Sequence, residues 1–298
     1  MKIREAGNSS PESGVAAAVA GVSAFDLPTL DKIPVIKELL RVAGEGLALD
    51  IGIGTGYTTF HVFGNRPTVC VDLHRPNLEY FRDRMRNASA AEQPGVVAMA
   101  TALPFRSGAF RFVLCSEVLE HLEDDDSAVR EISRVLSQDG RAVITVPYTG
   151  IGFTGFLEAL RIKTVHDFPG PEFHVRPGYD ERSLAALLAR HGLEIERHAF
   201  YMRFFTRVAV DMVSLSHIIY QRLAHGRRSW TWSEAAEAEG GLAFRLYTLA
   251  FPLLQAFSKM DRLIGGRRGF GLVASVRKSS AGERRLSPAQ AQDAQKEA

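Results

Sequence analysis

The segment Asp50-Ile51-Gly52-Ile53-Gly54-Thr55-Gly56 constrains this chain more than any other, because it sets alternate glycines directly after the apolar run Leu47 to Ile51. Such a run reads as a buried strand, and the glycines let the backbone turn sharply and let a ligand approach within van der Waals distance. A helix is expected next, with free N–H groups at its start for an anionic group. Asp72 follows Asp50 by 22 positions (72 − 50), at the end of the next apolar run. From there a carboxylate can accept hydrogen bonds from ribose hydroxyls, so a nucleotide-like ligand is implied. Tyr57 stands where a nicotinamide dinucleotide fingerprint wants Gly or Ala, and no Gly-Lys-Ser/Thr sequence offers a P-loop.

The apolar runs continue at Thr68 to Val71, Val96 to Ala100, Phe112 to Cys115 and Ala142 to Val146. Helical spacing lies before them at Leu30 to Val42 and between them at Asn77 to Ala88 and Asp126 to Leu136. Strands alternating with helices predict a doubly wound α/β fold with a mostly parallel sheet. Beyond Pro147 comes a long glycine- and aromatic-rich loop, Thr149 to Pro177, then a helix and strand over Asp180 to His191 and Leu193 to Phe200. Two helical stretches, Phe204 to Leu223 and Ala243 to Ile264, precede a last strand signal at Gly271 to Val276. The expected organisation is a disordered leader over 1–25, a core over 26–200, a helical insertion over 201–269, a final core strand over 270–278 and a disordered tail over 279–298.

Thirty-six Lys and Arg against 34 Asp and Glu leave the chain nearly neutral, without the field of a general nucleic-acid binder. Cys70 and Cys115 each sit inside an apolar run and read as small buried side chains, which fits a reducing cytoplasm better than a disulfide framework. The mild apolarity of Val15 to Val22 is too weak and too far from Lys2 and Arg4 for a signal peptide.

Several of these residues together resemble the class I S-adenosylmethionine-dependent methyltransferases, in particular the bacterial methyltransferase type 11-like group. They are Leu49 to Gly56, Asp72, Leu103-Pro104-Phe105, Glu117-Val118-Leu119-Glu120-His121-Leu122, Glu131 to Leu136 with Gly140, and Val146-Pro147. The resemblance implies a Rossmann-like sheet of seven strands with the last antiparallel, and S-adenosylmethionine as cofactor. It implies that Asp50, Gly52, Gly54, Thr55 and Gly56 hold the amino-acid part, Asp72 and Leu73 the ribose side, and Ala100, Thr101 and Ala102 the adenine, with Glu117 alongside. Two positions depart from the family pattern: Met99 stands where an Asp usually takes the adenine amino group, and Arg111 replaces the Asp of a Phe-Asp pair.

Methyl transfer is an in-line displacement, so alignment and exclusion of water matter most, and a base is needed only for an acceptor that loses a proton. His121 is the first candidate base, since it follows the fourth strand at the ligand edge; His166 and His174 are further candidates on the long loop. A metal site from His166, Asp167 and His174 lacks tight spacing, and no metal is expected. Asp124-Asp125-Asp126 reads as stabilising a helix start.

Residues 201–269 carry ten Lys and Arg against five Asp and Glu, among many aromatic and aliphatic residues. Their longest uncharged stretch, Leu246 to Ser258, is too short to span a bilayer. The segment reads as a cap over the acceptor pocket, with contact to an anionic membrane surface or a homodimer interface as alternatives. The expected reaction is methylation of a hydroxyl, with an amine or a carbon as the alternative, on a small-molecule, glycan-type or lipid-like acceptor, in the cytoplasm or at the inner face of its membrane. Phe153, Phe156 and Phe173 are expected to wall the pocket. No nucleic-acid partner is expected. The rival readings are a catalytically degenerate S-adenosylmethionine-binding partner protein, suggested by Met99 and Arg111, and an RNA or protein methyltransferase.

Overall fold

A computed structural model of the chain describes residues 26–40, 44–87, 91–150, 174–224, 242–263 and 268–279. Seven strands form one sheet: β1 (Ala48–Ile51), β2 (Thr68–Asp72), β3 (Gly95–Val97), β4 (Phe110–Ser116), β5 (Leu136–Pro147), β6 (Leu193–Tyr201) and β7 (Gly271–Lys278). Their order is β3-β2-β1-β4-β5-β7-β6, parallel through the first five positions, with β7 antiparallel to both β5 and β6. This is the seven-stranded sheet expected from the sequence.

The central strands are apolar on both faces because both are covered. Leu49, Ile51, Val113 and Cys115 face helices α4 (Asp125–Val135) and α5 (Glu181–Ala189), whose Val129, Ile132, Leu184 and Leu188 are fully buried. Ala48, Phe112, Leu114 and Val143 join the cluster of the opposite face, with α1 (Leu27–Leu40), α2 (Tyr57–Phe63), α6 (Phe204–Ala224) and α7 (Leu242–Lys259). Helix α3 (Arg75–Asn87) packs Leu78, Phe81 and Met85 on Ile53 and Cys70. Burying every side chain of β1 in this way removes apolar area at about 25 cal/mol per Å² from water and sets the strand's register.

Most element boundaries fall within a few residues of those read from the sequence. The run Val96 to Ala100 is shorter as a strand, because after Val97 the chain turns and Ala102 N–H closes on the Met99 carbonyl at 3.0 Å. The described parts of the 201–269 segment pack into the main core through Ala209, Val210 and Phe251. Asp261, itself buried, accepts the Phe205 and Thr206 N–H groups at 2.8 and 2.9 Å and so caps α6. The expected leader (1–25), most of the long loop (151–173) and nearly all of the expected tail (280–298) lie outside the described residues. Cys70 and Cys115 are free and buried.

Candidate functional site

In an open α/β sheet, ligands bind outside the carboxyl ends of the strands where the strand order reverses, here between β1 and β4. The glycine loop leaves β1 at that point. Its three glycines all have positive φ, +77° at Gly52, +52° at Gly54 and +74° at Gly56, but for different surroundings. A Cβ on Gly52 would come within 2.4 Å of Val118, and one on Gly56 within 2.0 Å of Phe81, so both are demanded by packing. A Cβ on Gly54 would meet nothing within 4 Å, so the loop offers bare backbone to open space there. Thr55 beside it is exposed. Helix α2, which follows, has only seven residues.

Asp50 is 2% exposed and lies behind the loop, where Thr59 of α2 donates to its Oδ2. Burial is the main reason that its carboxyl is pushed up to about 7. Asp72 sits in front. Its Oδ2 accepts from Gly54 N–H and Asn77 Nδ2, both at 3.1 Å, and its Oδ1 from His74 N–H at 2.8 Å. A carboxylate offers about four acceptor positions, so one remains for a ligand hydroxyl. Beyond Asp72, Leu73 is 59% exposed, and Met99, at the end of the neighbouring β3, is 55% exposed. Ala100 is nearly buried, and Thr101 and Ala102 complete the turn.

That turn is pinned by a pair the sequence reading did not single out. Arg134 donates to the Phe105 and Leu103 carbonyls at 2.5 and 2.8 Å, while Glu131 pairs with Arg134 and accepts the Leu103 N–H at 2.8 Å. Both residues lie in the Glu131 to Leu136 motif, so the signal was present in the pattern without its reason. Arg111 stands at the amino end of β4, against Gly46 and the Leu47 carbonyl, at the opposite edge of the sheet from the glycine loop. Met99 remains at the ligand edge, where it offers an apolar surface in place of a carboxylate.

After β4 the chain makes a tight turn in which Glu117 has φ +56°. Glu117 Oε1 accepts from Thr145 Oγ1 at 2.6 Å and from the Tyr201 hydroxyl at 3.0 Å. Burial, with Glu117 next to it, keeps the Tyr201 phenol well above its usual range. Glu120 is completely buried, and neither of its carboxylate oxygens has a hydrogen-bond partner among the described residues. Burial, then the adjacent Glu117, pushes its carboxyl up to about 9.

His121 and His174 meet here edge to face, with ring centroids 4.6 Å apart. The segment bearing His174 is latched to this turn: Val175 and Arg176 donate their N–H groups to the Glu120 carbonyl at 2.9 and 3.3 Å. Arg176 Nη1 and the Tyr179 hydroxyl both reach Asp125 Oδ2, at 2.5 and 2.6 Å. The acidic triplet therefore divides its work. Asp124 caps α4 through Ser127 N–H, Asp125 holds the latch, and Asp126 pairs with His191 at 3.0 Å. His166 and the aromatic residues expected to wall the pocket, Phe153, Phe156 and Phe173, lie outside the described residues.

The open backbone at Gly54, the spare acceptor position of Asp72 and the apolar Leu73 and Met99 fit an adenosyl group linked to an amino acid. A cavity of about 160 Å³ between α3 and β3, and a larger one by Gly44, Gly46 and Arg66, both lie off this edge.

Residues 49–144 match a family model described as a methyltransferase domain. The chain is 29% identical over 110 residues to a ubiquinone/menaquinone biosynthesis C-methyltransferase of Geotalea uraniireducens, covering 35% of this chain and 47% of that one. It is 30% identical over 148 residues to a malonyl-[acyl-carrier protein] O-methyltransferase of Geobacter sulfurreducens, covering 48% and 54%. The chain thus spans about half the length of these curated relatives. Among solved structures, the [4+2]-cyclase SpnF superposes with a TM-score of 0.53 at 18% identity, over 83% of this chain and 80% of its own, a likeness of fold alone.

Proposed function

We propose that the protein, whose residues 49–144 match a methyltransferase-domain model, is a class I methyltransferase that binds S-adenosylmethionine at the carboxyl edge of its sheet and methylates a hydroxyl on a small-molecule, glycan-type or lipid-like acceptor. The observation that carries this reading is the glycine loop, open at Gly54 and tied by that residue's N–H to Asp72. The loop, backed by the buried Asp50, holds the amino-acid part, Asp72 the ribose, and Leu73, Met99 and the turn Ala100 to Ala102 the adenine. Glu117, fixed by Thr145 and Tyr201, borders the reacting centre.

S-adenosylmethionine supplies a methyl group on a sulfonium. The residues of this chain align the acceptor oxygen with it and accept its proton. His121, 27% exposed, and His174, exposed, are the imidazoles on the acceptor side, and either can take that proton. A hydroxyl acceptor fits this place, because its proton must leave as the O–C bond forms and an imidazole is at hand to take it. The names of the two relatives support small or carrier-bound acceptors over nucleic acid.

The test is release of S-adenosylhomocysteine with a panel of alcohols, sugars and amphiphiles. Turnover that depends on one acceptor class supports the reading; saturable cofactor binding without turnover on any of them favours the degenerate-partner reading instead.

A specific observation also favours contact with an anionic membrane surface. Leu249, Leu253 and Leu263 are 78, 76 and 82% exposed along α7 and the turn after it, beside Lys259 and Arg262. No helix among the described residues is long and apolar enough to cross a membrane. This surface suits a cytoplasmic protein that visits the inner face to reach an amphiphilic acceptor. Flotation with anionic vesicles, lost in Leu249→Glu/Leu253→Glu, is the expected result; flotation unchanged in that variant contradicts it.

A further inference from the structure

We propose that Glu120, His121 and His174 form a binding site for a divalent transition-metal ion on the acceptor side of the fold. One ligand atom from each can be chosen so that all lie within 4.8 Å of one another, and His121 Nε2 is 4.0 Å from Glu120 Oε1. Ligand atoms about 2.1 Å from a tetrahedral ion are about 3.4 Å apart, so small side-chain rotations close the set.

Three features distinguish this cluster from a chance meeting of polar groups. Glu120 has a side chain only 1% exposed, with both oxygens lacking a hydrogen-bond partner among the described residues. A buried carboxylate without donors is costly, and a cation directly satisfies it. The latch from Val175 and Arg176 to the Glu120 carbonyl, reinforced by Arg176 and Tyr179 on Asp125, holds His174 against the turn although it lies far along the chain. The cluster also grades from a buried carboxylate through a partly exposed His121 to an exposed His174, which leaves the solvent side open for a further ligand.

Two imidazoles and one carboxylate with an open position suit zinc, manganese or a similar ion better than magnesium or calcium, which prefer all-oxygen sets. The site lies next to the glycine loop, since Val118 of the same turn packs on Gly52. Its use in the reaction rests on the methyltransferase reading above. An acceptor hydroxyl held at the open position becomes more acidic and gives its proton to water. Its oxygen then forms the new O–C bond as the S–C bond breaks, with that electron pair passing to sulfur. With an ion bound, the imidazoles are its ligands and water takes the proton; in the metal-free chain either imidazole takes it, as above.

Calorimetric titration of the tag-free, chelator-treated full chain with Zn2+ and with Mn2+ tests the site. One ion per chain is expected for at least one metal, with binding weakened at least roughly tenfold in both Glu120→Gln and His174→Ala. His174 is exposed, so its variant keeps the fold even where Glu120→Gln does not. No saturable binding of either ion, or the same affinity in His174→Ala, overturns the proposal. Titration of the same samples with S-adenosylmethionine separates the two readings, because loss of cofactor binding with metal binding intact counts against the methyltransferase reading alone.

Discussion

The Asp72 carboxylate accepts a hydrogen bond from the backbone N–H of Gly54 at 3.1 Å, so the acidic end of β2 fixes the one glycine whose surroundings are open. The same carboxylate holds the start of α3 through His74 and Asn77. A residue that reads from sequence as a ligand contact thus also shapes the loop that contacts the ligand.

Gly54 and Gly56 separate binding from folding. Gly56→Ala places a Cβ 2.0 Å from the Phe81 ring at φ +74°, so overpacking adds to backbone strain. A loss of about 3 kcal/mol in stability is expected by denaturant unfolding. Gly54→Ala costs only about 1 kcal/mol, from its φ, yet weakens S-adenosylmethionine strongly. Equal effects on both properties in both variants contradict this division.

Arg134 is expected to act on the cofactor through the turn it holds. Arg134→Met removes the donors to the Leu103 and Phe105 carbonyls and costs about 1–2 kcal/mol in thermal stability. The turn at 99–105 loosens, and affinity for S-adenosylmethionine falls more than affinity for methionine alone, because the adenine end is the one affected. Competition binding measures both.

Asp50 makes stability depend on pH with a defined sign. Its carboxyl sits near 7 in the fold against an ordinary 3.8, so the folded chain keeps a proton that the unfolded chain releases between those values. The contribution is present at low pH and is lost as pH rises from about 4 to about 7. Asp50→Asn flattens this part of the stability profile. A wild-type curve that does not decline more steeply than that of Asp50→Asn across the window contradicts the assignment.

Asp261 tests the attachment of the helical segment. Asp261→Ala leaves the Phe205 and Thr206 N–H groups without their acceptor, and about 1–2 kcal/mol of stability is expected to go. Denaturant unfolding of Asp261→Ala beside the wild type measures the loss, and equal stability of the two contradicts the capping role.

The sheet was legible because its strands are buried on both faces and read as short apolar runs set between helical patterns, as Leu47 to Ile51 and Phe112 to Cys115 do. The loop and Asp72 were legible because glycine spacing and strand-end position are local properties. His174 beside His121, by contrast, depends on a latch between Glu120, Asp125, Arg176 and Tyr179 that no local spacing encodes. The weight placed on Arg111 fails for a similar reason, since only the three-dimensional arrangement sets it at the far edge of the sheet.

The most direct measurement is calorimetric titration of the folded protein with S-adenosylmethionine and S-adenosylhomocysteine, with Asp72→Ala alongside. Saturable binding of one molecule per chain, weakened at least roughly tenfold by Asp72→Ala, is what the spare acceptor position of that carboxylate predicts. Absence of binding to the folded wild type, or binding indifferent to Asp72→Ala, contradicts the central claim.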